Sequence, residues 1–157
     1  MQQARWIVVG TDFSEGAQCA FSQALRLAGA SGAQIALVHA YEEDLETRSP
    51  EDAAPILRAR LAETIARAGV NGAGIRIESF VRRGAPWEKL SNVAVEVGAD
   101  LIVVGATGQR GASAVAPVLG SVAYRVLASA TRSVLISRQP SDRPRDLFAE
   151  TQKEGRP

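Results

Sequence analysis

The chain has 157 residues, 46% of them hydrophobic and 22% charged, close to the averages of soluble globular proteins, which excludes disordered, collagen-like and disulfide-scaffold classes. A chain of that length supports one domain with a real core, burying roughly 70% of the surface exposed when unfolded. Eighteen basic residues against seventeen acidic ones leave a formal charge of +1, so no net field steers the protein onto nucleic acid or a membrane, and neither partner is expected.

The first apolar run, residues 6–9, is short, β-branched and continuous, the mark of a strand covered on both faces. It is too short for a signal sequence, and no stretch approaches the roughly 18 apolar residues of a membrane span, so the expected location is cytoplasmic. Ala17, Ala20, Phe21, Ala24, Leu25 and Ala28 then recur at helical spacing, with Gly29 and Gly32 placed to end that helix. Cys19, the single cysteine, falls near its start and has no partner for an intramolecular disulfide; a half-buried structural thiol is expected. A second strand spans 35–38 and carries the single histidine, His39, at its end. Without a second histidine for a metal pair or a Ser-His arrangement, His39 is expected to turn its polar tip toward the site or solvent.

Residues 42–52 carry six acids against Arg48 and are expected to form a solvated connection into a second helix, marked by Leu57, Leu61 and Ile65 before Gly69. Residues 75–81 alternate apolar and polar side chains, the pattern of a more exposed edge strand. Pro86 suits the first turn of a third helix with the stripe Trp87, Leu90, Ala94 and Val97, which Gly98 closes. A fourth buried strand at 101–104 runs directly into a glycine-rich segment, 105–121. The stripe Val122, Val126 and Ala130 and a last strand at 134–136 complete the domain, 1–137. The remaining 138–157, with three prolines and mixed charge, reads as a flexible tail.

Strands that alternate with helices pair in parallel through right-handed crossovers, so the fold class is α/β, a single doubly wound domain with helices on both faces. Such sheets bind ligands beyond the carboxyl ends of their strands, where the strand order reverses. The candidate loops are 10–14 and 105–121.

Gly105, Gly108 and Gly111 follow the fourth strand, and Gly120-Ser121 heads the last helix. Glycines let backbone N–H groups approach an anion, and a helix N-terminus adds partial positive charge. No lysine lies in 105–121, so a phosphate cradle there would use backbone amides, Ser121 and Arg110. That arrangement suits binding better than fast phosphoryl transfer. No carboxylate pair or Cys/His cluster has catalytic or metal-ligand spacing. No catalytic residue and no metal site is assigned.

The opening Ile7-Val-Val-Gly-Thr11-Asp12-Phe-Ser14-Glu15, the strand end Leu37-Val-His39-Ala40, the run Gly84-Ala-Pro86-Trp and Asp100-Leu-Ile-Val-Val-Gly105 together resemble the universal stress protein family. The resemblance covers residues 4 to 137 in order. It implies a five-stranded parallel sheet of order 3-2-1-4-5, and, for the family's ATP-binding type, a Gly-x2-Gly-x9-Gly-Ser/Thr loop for the phosphates. Carried over by position, Gly105, Gly108, Gly120 and Ser121 would meet the phosphates, Asp12 the ribose hydroxyls, and Thr11 and Ala40 the adenine. ATP, with Mg²⁺, is the implied ligand. Eleven residues separate Gly108 from Gly120 in this chain, two more than the family pattern. The resemblance further implies a homodimer paired through the last strand, Val134, Leu135 and Ile136; a tail shielding that edge is the alternative. The function expected is a stress-response regulator that binds an adenine nucleotide and is no dedicated enzyme. A nucleotide-free interaction module is the second reading, and a slow ATP hydrolase the third. Asp12 and Ser14 could equally serve as caps of the first helix.

Overall fold

A computed structural model describes residues 5–42, 50–70, 74–108 and 119–139. Five strands and four helices alternate: β1 Trp6–Gly10, α1 Glu15–Ser31, β2 Gln34–Tyr41, α2 Pro50–Arg67, β3 Ile77–Arg83, α3 Pro86–Val97, β4 Leu101–Gly105, α4 Ser121–Ser129 and β5 Ser133–Ser137. The strands form one sheet of order β3-β2-β1-β4-β5. All four pairings are parallel.

Because side chains alternate across a strand, each continuous apolar run feeds two cores. Ile7, Val9, Ile35, Leu37 and Val103 meet Phe21 and Ala24 of α1 and Leu61 of α2 on one face. Val8, Ala36, Val38, Ile102 and Val104 meet Leu90 and Val93 of α3 and Ala123 and Val126 of α4 on the other. This double burial explains why β1, β2 and β4 lack the alternation of an exposed strand.

Helix boundaries follow local chemistry. Ser14 caps α1, accepting a hydrogen bond from the Ala17 N–H, and Gly32 ends it at φ 72°. The helix runs through Gly29, since a glycine inside a packed helix costs only about 1 kcal/mol. Pro86 opens α3. Helix α2 starts at Pro50 and continues through Pro55, so the end of the acidic stretch belongs to the helix; residues 43–49 lie outside the described chain. The third strand sits at the sheet edge as its alternation predicts, but at Ile77–Arg83, two residues later than expected. Its ladder with β2 continues to Tyr41 and Arg83, and the Gly84 N–H still donates to the Tyr41 carbonyl at 2.8 Å.

Strand β5 forms the other edge, its Val134, Leu135 and Ile136 half-buried. Of the expected tail, Arg138 and Gln139 are described and 140–157 lie outside. Among the described residues no helix is long and apolar enough to cross a membrane.

Candidate functional site

The strand order reverses between β1 and β4, and the two loops leaving those strands meet there. On the β1 side, Thr11 is fixed from the end of β2. Its N–H donates to the Val38 carbonyl at 2.9 Å, and its carbonyl lies 2.8 Å from His39 Nδ1. Two short-range bonds then shape the turn. The Phe13 N–H donates to Thr11 Oγ1 at 3.1 Å, and the Ser14 N–H to Asp12 Oδ1 at 3.0 Å. Asp12 therefore braces the turn while Ser14 caps α1, which divides the capping roles that the sequence leaves open.

Phe13 stands at φ 64°, alone among the described non-glycine residues in having a positive φ. A bulky side chain rarely adopts that conformation. Its ring lies against the His39 imidazole, centroids 4.6 Å apart, and under the Arg60 guanidinium at 4.0 Å. These contacts and the two turn bonds oppose the strain. Thr11, Phe13, Gln18, Arg60, Glu63 and Thr64 line a shallow cleft between the start of α1 and α2. His39 holds its proton less tightly than an ordinary imidazole. Burial is the largest cause and Arg60 adds to it, against the opposing pull of the Thr11 carbonyl and Asp12.

On the β4 side the chain backbone packs against α1. A Cβ on Gly105 would come within 2.7 Å of the Gly16 carbonyl group, and one on Gly16 would strike the Thr107 carbonyl oxygen. Real Cβ atoms do not approach so closely, so both positions require glycine. Gly108 then passes beneath the Asp12 carboxylate: a Cβ there would stand 2.6 Å from Oδ2. Gly120 returns to the same place, its N–H donating to the Ala106 carbonyl at 2.7 Å. A Cβ on Gly120 would lie 3.6 Å from the Gly108 nitrogen. Gly120 is the N-cap of α4 and offers no side-chain acceptor, so the first turn, beginning at exposed Ser121, opens with amide hydrogens that the N-cap side chain does not satisfy.

Asp12, Gly105, Gly108, Gly120 and Ser121 are thus brought together, with Thr11 beside them. Ala40 sits in β2 beyond Val38, the residue paired with Gly10. Arg110 and the extended part of the loop, 109–118, lie outside the described residues. Sequence reasoning passed over Gly16, Phe13 and Arg60. The signal for Gly16 was present, since glycine in a helix's first turn costs stability without returning a packing contact of its own. No comparable signal exists for Phe13 or Arg60.

The sequence model of the universal stress protein family matches residues 4–138. The chain belongs to the universal stress protein family. A universal stress protein from Thermus aquaticus is 34% identical over 140 residues, 84% of this chain and 97% of that protein. Another, from Methanocaldococcus jannaschii, is 37% identical over 67 residues, 43% of this chain and 38% of that protein. Among solved structures, a universal stress protein in complex with cAMP superposes with a TM-score of 0.68 at 32% identity, covering 86% of this chain and 97% of that one. Family membership thus agrees with the observed sheet order. Among the described residues, no group of three or more His, Cys, Asp or Glu side chains could hold a metal ion.

Proposed function

We propose that this universal stress protein binds an adenine nucleotide across its switch point, ATP in the first instance, and regulates a stress response by binding rather than by turnover. One observation bears most of the weight: the Asp12 carboxylate lies directly over Gly108, where a Cβ would stand 2.6 Å from Oδ2. Two acceptor oxygens beside a side-chain-free backbone suit a sugar diol next to a phosphate. In this reading Asp12 accepts from the ribose hydroxyls, and Gly105, Gly108, Gly120 and Ser121 offer amides and a hydroxyl to the phosphates; Arg110, outside the described residues, is a further candidate from the sequence alone. Thr11 and Ala40 flank the base. Mg²⁺ would arrive on the nucleotide, since the described residues supply no acidic cluster of their own. The 32% identical relative in complex with cAMP supports the ligand class.

Regulation rather than catalysis is supported by the lysine-free segment 105–121, which lacks the cation that phosphoryl transfer recruits. The half-buried Val134, Leu135 and Ile136 of β5, a strand that among the described residues pairs with β4 alone, support pairing of two copies through that strand, because an unpaired strand edge needs covering. A cytoplasmic location fits this reading.

Thermal melting with and without millimolar ATP and Mg²⁺ tests the binding reading. Ligand at a hundred times Kd stabilises the native state by about 2.7 kcal/mol, a shift of several degrees for a domain of this size. No shift with ATP, cAMP or AMP would overturn it in favour of a nucleotide-free interaction module, the reading that the eleven-residue Gly108 to Gly120 spacing favours. Fast ATP turnover lost in Ser121→Ala would instead make the protein an enzyme.

A further inference from the structure

The turn that presents Asp12 is held on both sides by one side chain from β2. Before Asp12, the Thr11 carbonyl lies 2.8 Å from His39 Nδ1. A carbonyl oxygen has no proton to give, so the imidazole is the donor and carries its proton on Nδ1. After Asp12, the Phe13 ring lies against the same imidazole, its centroid 4.6 Å away and its plane tilted by 40°. Phe13 is also the residue at φ 64°, a conformation that persists in a bulky residue only where surrounding structure enforces it. Arg60 closes the stack from α2, 4.0 Å above the Phe13 ring. Thr11 and Phe13 are thereby fixed by contacts outside their own turn, and Asp12 lies between them with Oδ2 over Gly108.

We propose that His39 is a positioning residue for Asp12: its Nδ1–H clamps the Thr11 carbonyl and its ring backs Phe13, so that the Asp12 carboxylate faces a bound ribose. The claim rests on the adenine-nucleotide reading and adds to it a residue that does not itself touch the nucleotide. Its specificity is for the sugar. A ligand without ribose hydroxyls has nothing for a correctly placed Asp12 to accept from, and keeps only what His39 contributes through Thr11 beside the base.

Three variants and two ligands test this in the full chain. Asparagine places an amide N–H close to the position of Nδ1; glutamine carries its donor farther out, and leucine has none. Calorimetric titration with ATP should show affinity at least tenfold weaker in His39→Gln and His39→Leu, with His39→Asn, which keeps the donor but not the ring, recovering part of it. The same variants should bind 2′,3′-dideoxy-ATP no more than about threefold more weakly than the unaltered protein, the part of the loss that passes through Thr11 beside the base. Parallel loss of both ligands would mean general damage to the fold and would overturn the proposal, as would unchanged ATP affinity in His39→Leu. If His39→Leu does not fold, the Gln and Asn pair carries the same comparison. If the unaltered protein binds neither ligand, the nucleotide reading fails on its own. The positioning claim is then decided by NMR of the ligand-free protein. His39→Gln should change the Phe13 backbone coupling constant, which follows φ, and His39→Asn should bring it back toward the unaltered value; an unchanged Phe13 coupling constant in His39→Gln would refute it.

Discussion

Asp12 and Gly108 meet across the seam between β1 and β4, with Asp12 Oδ2 so near the Gly108 Cα that an added Cβ would stand 2.6 Å from it. The two residues are 96 positions apart in the chain, 108 minus 12. Parallel pairing of β1 with β4, Ile7 opposite Leu101, brings both strand ends to one level, and each loop needs only a few more residues to make the contact.

Gly108→Ala should therefore act on the carboxylate before it acts on the fold. The added methyl displaces the short Asp12 side chain, which also holds the Ser14 N–H at 3.0 Å. Adenine-nucleotide affinity should fall at least tenfold, or about 1.4 kcal/mol, while the melting temperature of the ligand-free protein drops by only a few degrees. Calorimetric titration beside a thermal melt separates the two effects.

Gly105→Ala should act in the opposite order. Its methyl would meet backbone, the Gly16 carbonyl group at 2.7 Å and the Ala17 nitrogen at 3.2 Å, and backbone in a packed helix cannot swing aside. Overpacking of this kind costs about 1–3 kcal/mol. Urea denaturation should show a lower midpoint with an unchanged slope, the sign of lost stability without altered compactness.

Ser14→Ala removes the acceptor for the Ala17 N–H, a bond of 3.2 Å, and leaves α1 without its side-chain cap. The loss expected is about 1 kcal/mol. Ser14→Asp should retain most of the stability, because Asp caps as well as Ser and adds favourable charge at a helix N-terminus. Comparing the two variants in urea isolates the cap from the rest of the turn.

Stability should also carry the titration of His39. Burial lowers its proton affinity in the folded state, with Arg60 acting in the same direction and the Thr11 carbonyl and Asp12 opposing. The unfolded imidazole, near its usual value of about 6.5, therefore takes up a proton at higher pH than the folded one. In that interval the unfolded state binds more protons, so stability rises with pH. The contribution is complete above about pH 6.5 and is lost as pH falls through the folded value. Urea midpoints measured from about pH 7.5 down to about pH 5.5 should fall more steeply for the unaltered protein than for His39→Asn; identical slopes would contradict this assignment.

Much of this arrangement is legible in the chain. The continuous runs at β1, β2 and β4 announce strands buried on both faces, and the alternation at β3 announces an edge, because burial on one face or two leaves its mark in the side-chain pattern itself. Helix ends at Gly32 and Gly98 are equally local, since the left-handed cap at φ 72° and 68° favours glycine. The sheet order came through the family's motifs, which encode it indirectly.

The sequence by itself determined the class of fold, the face each helix buries and the two loops at which a ligand could bind. Each depends on residue type and spacing along one stretch of chain. Only the tertiary structure decided that Gly16 must be glycine, that Phe13 holds a left-handed backbone between His39 and Arg60, and that His39 turns to Thr11. Those contacts arise where segments far apart in sequence are packed at van der Waals distance, and at that range a single methyl or one ring nitrogen settles the outcome.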